Sequence, residues 1–419
     1  MVTRARLAAV DEANFTLDHA GQVNVFLVAG LVRPGGFVGP NGLPDMPMLR
    51  RGLSERIETL PQLCRVAVPV GRRHAWAELA PDLEHHVRAI PAVRGVGGLE
   101  QVCAGLMCVP LPLDRPLWEL LVVPGATTDG LGIVLRIHHA IADGMSAVAI
   151  ARTLFQEDAL PAPAPVESAT GPATPGSTLA QRSQRIAVGL QRTLVTVINH
   201  GVGQTALLGP RSALHGVRFL DVSLGSLTSH VRPLGGTVND ALLDAVAAGY
   251  RAVLTALSEP IPKSLPVSVP VALTRHEGSA NQVGVMLVRL PLDETDADHR
   301  LRLIAEQTRR EKPRARAQGT LELMRGPVGA RVMDVVGRRQ RLVAGFVTNV
   351  PGPSGTLRIC GAPVAAIWPV AVLAANVRSG VAALSYEGRL WCGIHVDAAS
   401  IPGSAFADGM AQELLRLTT

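Results

Sequence analysis

The 419-residue sequence predicts an α/β protein made of two sandwiched layers of strands and helices. Three observations carry that expectation. Strand-like and helix-like segments alternate in both halves of the chain. One composition shift, at residues 156–185, separates the halves. Hydrophobic residues make up 47% against 18% charged, enough to build two cores. The separating stretch, QEDALPAPAPVESATGPATPGSTLAQRSQR, holds too much proline for a helix and too few bulky residues for a core. It reads as a linker or exposed loop, and divides the chain into 1–155, 156–185 and 186–419.

The elements follow in order. QVNVFLVAGLV (22–32) reads as a strand, and 46–60 carries a helical pattern that stops at Pro61. GIVLRIHH (132–139) is a β-branched run, followed by a turn at Ala142-Asp143-Gly144 and a helix from Ser146 to about Phe155. In the second half Thr237 begins a helix that runs to about Leu257, and 265–273 and 283–292 read as strands. Residues 301–324 form an Arg- and Glu-laced helix that Pro313 should interrupt. A hairpin over 381–397 turns at Glu387-Gly388. The uncharged run 359–377 has the length of a membrane span. Gly361, Pro363, Pro369 and Asn376 argue instead for strand, turn, strand.

Composition narrows the function classes. Net charge is +6, and Lys263 and Lys312 are the only lysines among 40 basic residues. The arginine excess suits bidentate contact with phosphate or carboxylate; a biased genome composition explains it without any function and is the favoured reading. Nucleic-acid binding is not expected, because the chain has no aromatic-studded basic stripe and no zinc or RNP signature. Cys64, Cys103, Cys108, Cys360 and Cys392 are odd in number, widely spaced and set in apolar contexts. They read as buried thiols in a reducing compartment, with no metal site. Asp11 and Glu12 interrupt the N-terminus before any apolar run, so no signal peptide is expected.

The chemistry concentrates in His138-His139-Ala-Ile-Ala-Asp143-Gly144. A strand points successive side chains to opposite faces, so only one of the two histidines can face a given cleft. Gly144 could supply the positive φ of a tight turn, and Asp143 could fix the loop. Taken alone, the pair could equally be core histidines beside an ordinary Asp-Gly turn. The second pair, His85-His86, has Ile90 and Pro91 where Asp and Gly would stand, and reads as structural.

HHAIADGMS matches the HHxxxDG motif of the CoA-dependent acyltransferase superfamily, and the chain resembles the bacterial wax ester synthase/diacylglycerol acyltransferases. LDRPLWELLV (113–122), LGGTVNDALLDAVAAGYRAVL (234–254), VPVALTR (269–275) with Asn281, TNVPGP (348–353) and LSYEGRLWCGIHVDAASIP (384–402) resemble that branch's blocks, in its order. Two departures stand out: His215 replaces an Asn in a shortened 209–219 segment, and Asn24 stands where many relatives carry histidine.

The resemblance implies two chloramphenicol-acetyltransferase-like sandwich subdomains with the active-site channel between them. It implies a catalytic group of His139, His138 and Asp143, with His139 as general base, His138 turned to the core and Asp143 structural. Arg275 is the candidate partner of Asp143. It places Asn239 and Asp240 at the active site from the C-terminal half, although Thr237-x-x-Asp240 is also a helix-capping pattern. Pro116, Leu117 and Trp118 either wall a substrate channel or pack in the core. Arg302, Arg309, Arg310, Arg314 and Arg316 either form a solvated face or guide CoA phosphates.

The expected reaction moves a long-chain acyl group from acyl-CoA, with no bound cofactor and no metal, to diacylglycerol or a fatty alcohol. The expected location is cytoplasmic, with peripheral contact to a membrane or lipid droplet. A related acyltransferase with another acceptor, and a non-catalytic lipid-binding protein, remain as alternatives.

Overall fold

The computed structural model describes residues 5–19, 21–71, 73–157, 201–272, 283–318 and 327–419. The first half runs β1 (Ala5–Arg6), α1 (Ala9–Leu17), β2 (Val25–Val32), α2 (Met46–Ile57), β3 (Arg65–Val70), β4 (Arg73–Glu78) and α3 (Leu83–His86). It continues with β5 (Val87–Ala89), α4 (Gly95–Leu106), β6 (Trp118–Pro124), β7 (Leu131–His138) and α5 (Gly144–Leu154). The second half runs β8 (His215–Ser223), α6 (Leu224–Val231), α7 (Val238–Ala256), β9 (Ser264–Ala272), β10 (Val283–Pro291), α8 (Ala297–Gln318) and α9 (Pro327–Gly337). It closes with β11 (Gly345–Val350), β12 (Arg358–Ile359), β13 (Ala362–Val370), β14 (Ser379–Tyr386), β15 (Arg389–Asp397) and α10 (Gly403–Arg416).

Two six-stranded sheets organise these elements, in the orders β12-β13-β2-β7-β6-β5 and β10-β9-β11-β14-β15-β8; β1, β4 and β3 form a small third sheet. The α/β expectation holds. β7 lies in the middle of the first sheet, and all eight of its residues are buried, as its mostly apolar sequence requires of a strand covered on both faces, with Arg136 paired to Glu119 and His138 to Asp18. α7 is almost wholly apolar and buried along its length. The hairpin turns as expected, with Glu387 at φ 49 and Gly388 at φ 69, the left-handed pair that a two-residue hairpin needs.

Three expectations are corrected. The division into 1–155 and 186–419 does not follow the sheets, because β12 and β13 cross back and pair with β2 in the first sheet. β13 is apolar on both sides of its alternation and has a half-built sheet to close, so it adds a strand there; the expected 156–185 linker lies mostly outside the described residues. Pro313 does not interrupt α8. It sits on the exposed face, where water replaces the lost partner of the helix carbonyl, while Leu301, Ile304, Ala305, Thr308 and Ala315 carry the buried face through. Gly144 is absent from the residues with positive φ, so it is not there to permit a left-handed turn. The run 359–377 does form strand, turn and strand as β12 and β13, and among the described residues no helix is long and apolar enough to cross a membrane.

Candidate active site

β7 ends at His138, and the two histidines part there. His138 is fully buried and stacked on Phe15 of α1, with ring centroids 5.2 Å apart. The Ala140 N–H donates to its Nδ1 at 3.0 Å, so Nε2 carries the proton and donates to Asp18 Oδ2 at 3.1 Å. Burial pushes the Asp18 carboxyl up, but hydrogen bonds from His138 and the Asn24 amide outweigh it and hold the group below the ordinary carboxylate range. His138 is therefore locked on both nitrogens, and acts on the neighbouring residue through its position.

His139 points the other way and is only half-buried. Its backbone is held from both sides: its N–H donates to the Asn24 carbonyl at 3.0 Å, and its carbonyl accepts from Asn14 Nδ2 at 3.1 Å. Asn24 in turn donates to the Asn14 carbonyl at 3.0 Å, so the residue that departs from the family pattern sits directly beneath the candidate base. The ring lies 4.8 Å from Phe26. Desolvation, with the neighbouring His138, pushes its imidazole down to about 4, against the pull of Asp143 and a hydrogen bond to the Ala142 carbonyl. At neutral pH it is an uncharged imidazole. One nitrogen donates to Ala142, which leaves a lone pair on the other.

Asp143 caps α5 by accepting the Ser146 N–H at 2.8 Å. Its charge also favours protonation of His139. Arg275 and Asn281 lie outside the described residues. A Cβ on Gly144 would stand 3.3 Å from Val350 Cγ2 of β11; the glycine serves close approach between the two halves.

The residues on either side of Val350, Asn349 and Pro351, line a cavity of about 650 Å³ in the second half. Asn239, Ser385 and Thr308 add polar atoms to its wall, Val269 and Met286 add apolar ones, and Arg309 and Lys312 of α8 stand at its edge. The histidine turn thus packs on β11 at Val350, between two residues that line the cavity. Asp240 is 2% exposed and spent on structure: it accepts from the Thr237 N–H at 2.8 Å and from Thr308 Oγ1 at 2.7 Å, completing a capping box at the start of α7.

With that geometry in place, the comparisons with known proteins are specific. Residues 7–218 match the wax ester synthase/diacylglycerol acyltransferase catalytic domain, and 279–418 match the WS/DGAT C-terminal domain. The chain belongs to the wax ester synthase/diacylglycerol acyltransferase family. It is an acyltransferase enzyme, acting on an alcohol acceptor.

A probable diacylglycerol O-acyltransferase of Mycobacterium tuberculosis strain H37Rv is 30% identical over 345 residues, covering 75% of this chain and 74% of that one. The wax ester synthase/diacylglycerol acyltransferase from Marinobacter aquaeolei VT8 superposes with a TM-score of 0.72 at 21% identity, over 99% of this chain and 98% of that one. The starter condensation domain of rhizomide synthetase, in complex with C8-CoA and Leu-SNAC, gives 0.61 at 14% identity, covering 99% and 94%. These two solved structures show that the WS/DGAT fold is also that of condensation domains.

Within this WS/DGAT chain, Pro116, Leu117 and Trp118 pack in the first half's interior. All three are buried, and Trp118 is pinned by its Nε1 donating to the Leu63 carbonyl at 2.9 Å. His86 is buried against the same tryptophan and bonds its carbonyl at 2.7 Å, as its structural reading expected. Of the α8 arginines, Arg309 reaches the cavity and also donates to the Gly235 carbonyl at 3.0 Å, whereas Arg314 pairs with Glu311. His215, the other departure, bonds His395 at 2.7 Å in the second sheet.

Asp18, Asn14, Thr308 and Lys312 were not legible as site residues. Asp18 and Asn14 lie 120 and 125 residues from their histidine partners, and no local motif marks either.

Proposed function

We propose that this enzyme transfers a long-chain acyl group from acyl-CoA to the hydroxyl of diacylglycerol or a fatty alcohol, with His139 as general base. The observation that carries the reading is the neutral His139 imidazole, fixed by Ala142 at one nitrogen, at a turn that packs against β11, the strand whose Asn349 lines the cavity. The acceptor oxygen attacks the thioester carbonyl carbon while the free nitrogen lone pair of His139 takes its proton. The tetrahedral adduct then expels the CoA sulfur, and the imidazolium returns the proton to it. Asp143 favours the transient imidazolium, and Arg309 and Lys312 offer cations to the CoA phosphates at the cavity edge. The mycobacterial relative's name supports diacylglycerol as acceptor. Such an acceptor is scarcely present free in water, so the enzyme draws it from a membrane or droplet on the cytoplasmic side, where acyl-CoA is available.

The test offers labelled palmitoyl-CoA to the full chain with diacylglycerol and with hexadecanol in parallel. Triacylglycerol or wax ester should form, and His139→Ala should lower kcat about 10²–10⁴-fold without changing the melting temperature. Full activity in a folded His139→Ala protein, or a preference for acetyl-CoA with a small soluble alcohol, would refute the reading.

A further inference from the structure

α9 presents an outer face that no described element covers. Val332, Val335 and Val336 are exposed by 52%, 66% and 55%, and their i, i+3, i+4 spacing places them in one stripe. The opposite face is anchored. Ala330 and Gly337 are buried, Gly337 lies against Ala375, and the Asp334 carboxylate receives His19 at 3.3 Å and Arg338 at 2.5 Å. The one carboxylate of α9 is thus turned inward and neutralised. Arg331, Arg338 and Arg339 are exposed at the edges of the stripe, and Arg341 is exposed just beyond it. α9 packs on α1, the helix whose Asn14 holds the His139 carbonyl, so the stripe lies one helix away from the candidate base.

We propose that α9 is the face by which this enzyme docks on an anionic phospholipid surface. The three valines enter the acyl boundary while the arginines lie at headgroup level. The charge pattern selects this occupant. A second copy of the chain on a two-fold axis would set Arg331, Arg339 and Arg341 against their own copies, whereas an anionic surface neutralises all three. The inference rests on the proposed lipid acceptor, which has to be collected from such a phase close to His139.

The experiment is flotation of the full chain with phosphatidylcholine vesicles, with and without phosphatidylglycerol. The wild type should float only with phosphatidylglycerol and detach in about 1 M salt, where screening shortens electrostatic reach to ~3 Å. Removing an arginine near an anionic surface weakens partition about fivefold, so Arg331→Gln/Arg339→Gln/Arg341→Gln should bind roughly a hundredfold less. Val335→Ser/Val336→Ser keeps the charge and should still lose at least about tenfold, from the lost apolar burial. Both variants should keep the wild-type melting temperature and activity on detergent-dispersed hexadecanol. Variants that float like the wild type overturn the proposal. So does a wild-type dimer that the valine variant splits, since a second copy then covers the stripe. Flotation that behaves as expected in a chain that acylates neither lipid alcohol would leave the docking face standing and remove the proposed reaction.

Discussion

His139 is held by its backbone and freed at its ring, and its surroundings dictate how it responds to protons. Its imidazole is pushed down to about 4 by desolvation and by His138, so the base is already unprotonated well below neutrality. We expect kcat/KM to rise through about pH 4 and stay flat across the ordinary histidine range near 6.5; a limb at 6.5 in the pH–rate profile would contradict the geometry. The same depression bears on stability. An unfolded histidine takes up a proton near 6.5, whereas His139 resists to about 4 and buried His395 to about 3, through desolvation and the nearby His215. The unfolded state therefore binds more protons between these values. The contribution is complete above pH 6.5 and is lost as pH falls toward 4 and then 3, which melting curves across that window will show. At Asp143 the two roles separate by substitution. Asparagine caps a helix as well as aspartate, so Asp143→Asn should still fold and keep α5 capped, which circular dichroism will show. It should nonetheless lower kcat, because the imidazolium loses a favourable charge.

Individual elements meet the site with little tolerance. β11 and the start of α5 approach until a Cβ on Gly144 would press Val350 at 3.3 Å. Gly144→Ala therefore needs a shift of a few tenths of an ångström. Gly144→Val sets a larger side chain against Val350 at an otherwise open position and should cost about 1 kcal/mol. Val350→Ala in the same chain should restore much of that, and a double-mutant cycle on melting and kcat reads the coupling. In the wall of the cavity, Thr237 and Asp240 form the capping box of α7. Thr237→Ala removes one half of it and should cost about 1 kcal/mol. Because Asp240 also accepts from Thr308 of α8, the same change should raise KM more than it lowers kcat. An unchanged KM would show that the box supports α7 alone.

At the scale of the whole molecule the two sheets are interlocked. Trp368 of β13 belongs to the first sheet, yet it stacks on Phe219 at 4.7 Å and meets Trp391 edge-on at 5.2 Å, both in the second. The Tyr386 hydroxyl at the end of β14 donates to the Val364 carbonyl of β13 at 2.8 Å. Glu100 of α4 accepts the Phe219 N–H of β8 at 2.8 Å. A fragment of residues 1–157 would leave the β2 edge unpaired and the core without Ile359, Ile367 and Trp368. Such edges template aggregation. We expect that fragment to be insoluble alone and to be recovered when co-expressed with residues 158–419. We also expect the intact chain to unfold in one calorimetric transition. Two separate transitions would show that the strand exchange does not couple the halves.

What the sequence determined by itself was set by local chemistry. The apolar run of β7, the Thr-x-x-Asp cap of α7, the Glu387-Gly388 turn and the HHxxxDG order all act within a few residues of themselves, and each stands in the structure as read. The family, and with it the enzyme class, was also legible, because those blocks keep their order along the chain. Tertiary structure alone decided the rest. Whether Trp118 walls a channel or fills a core depends on Leu63 and His86, which the fold brings to it. Whether β13 joins the first sheet or the second depends on the open edge of β2, more than three hundred residues earlier. Which histidine can accept a proton depends on Asp18 closing one ring and Ala142 orienting the other. A side chain's meaning at these positions is the sum of its neighbours' desolvation, charge and hydrogen bonds, and those neighbours are chosen by folding.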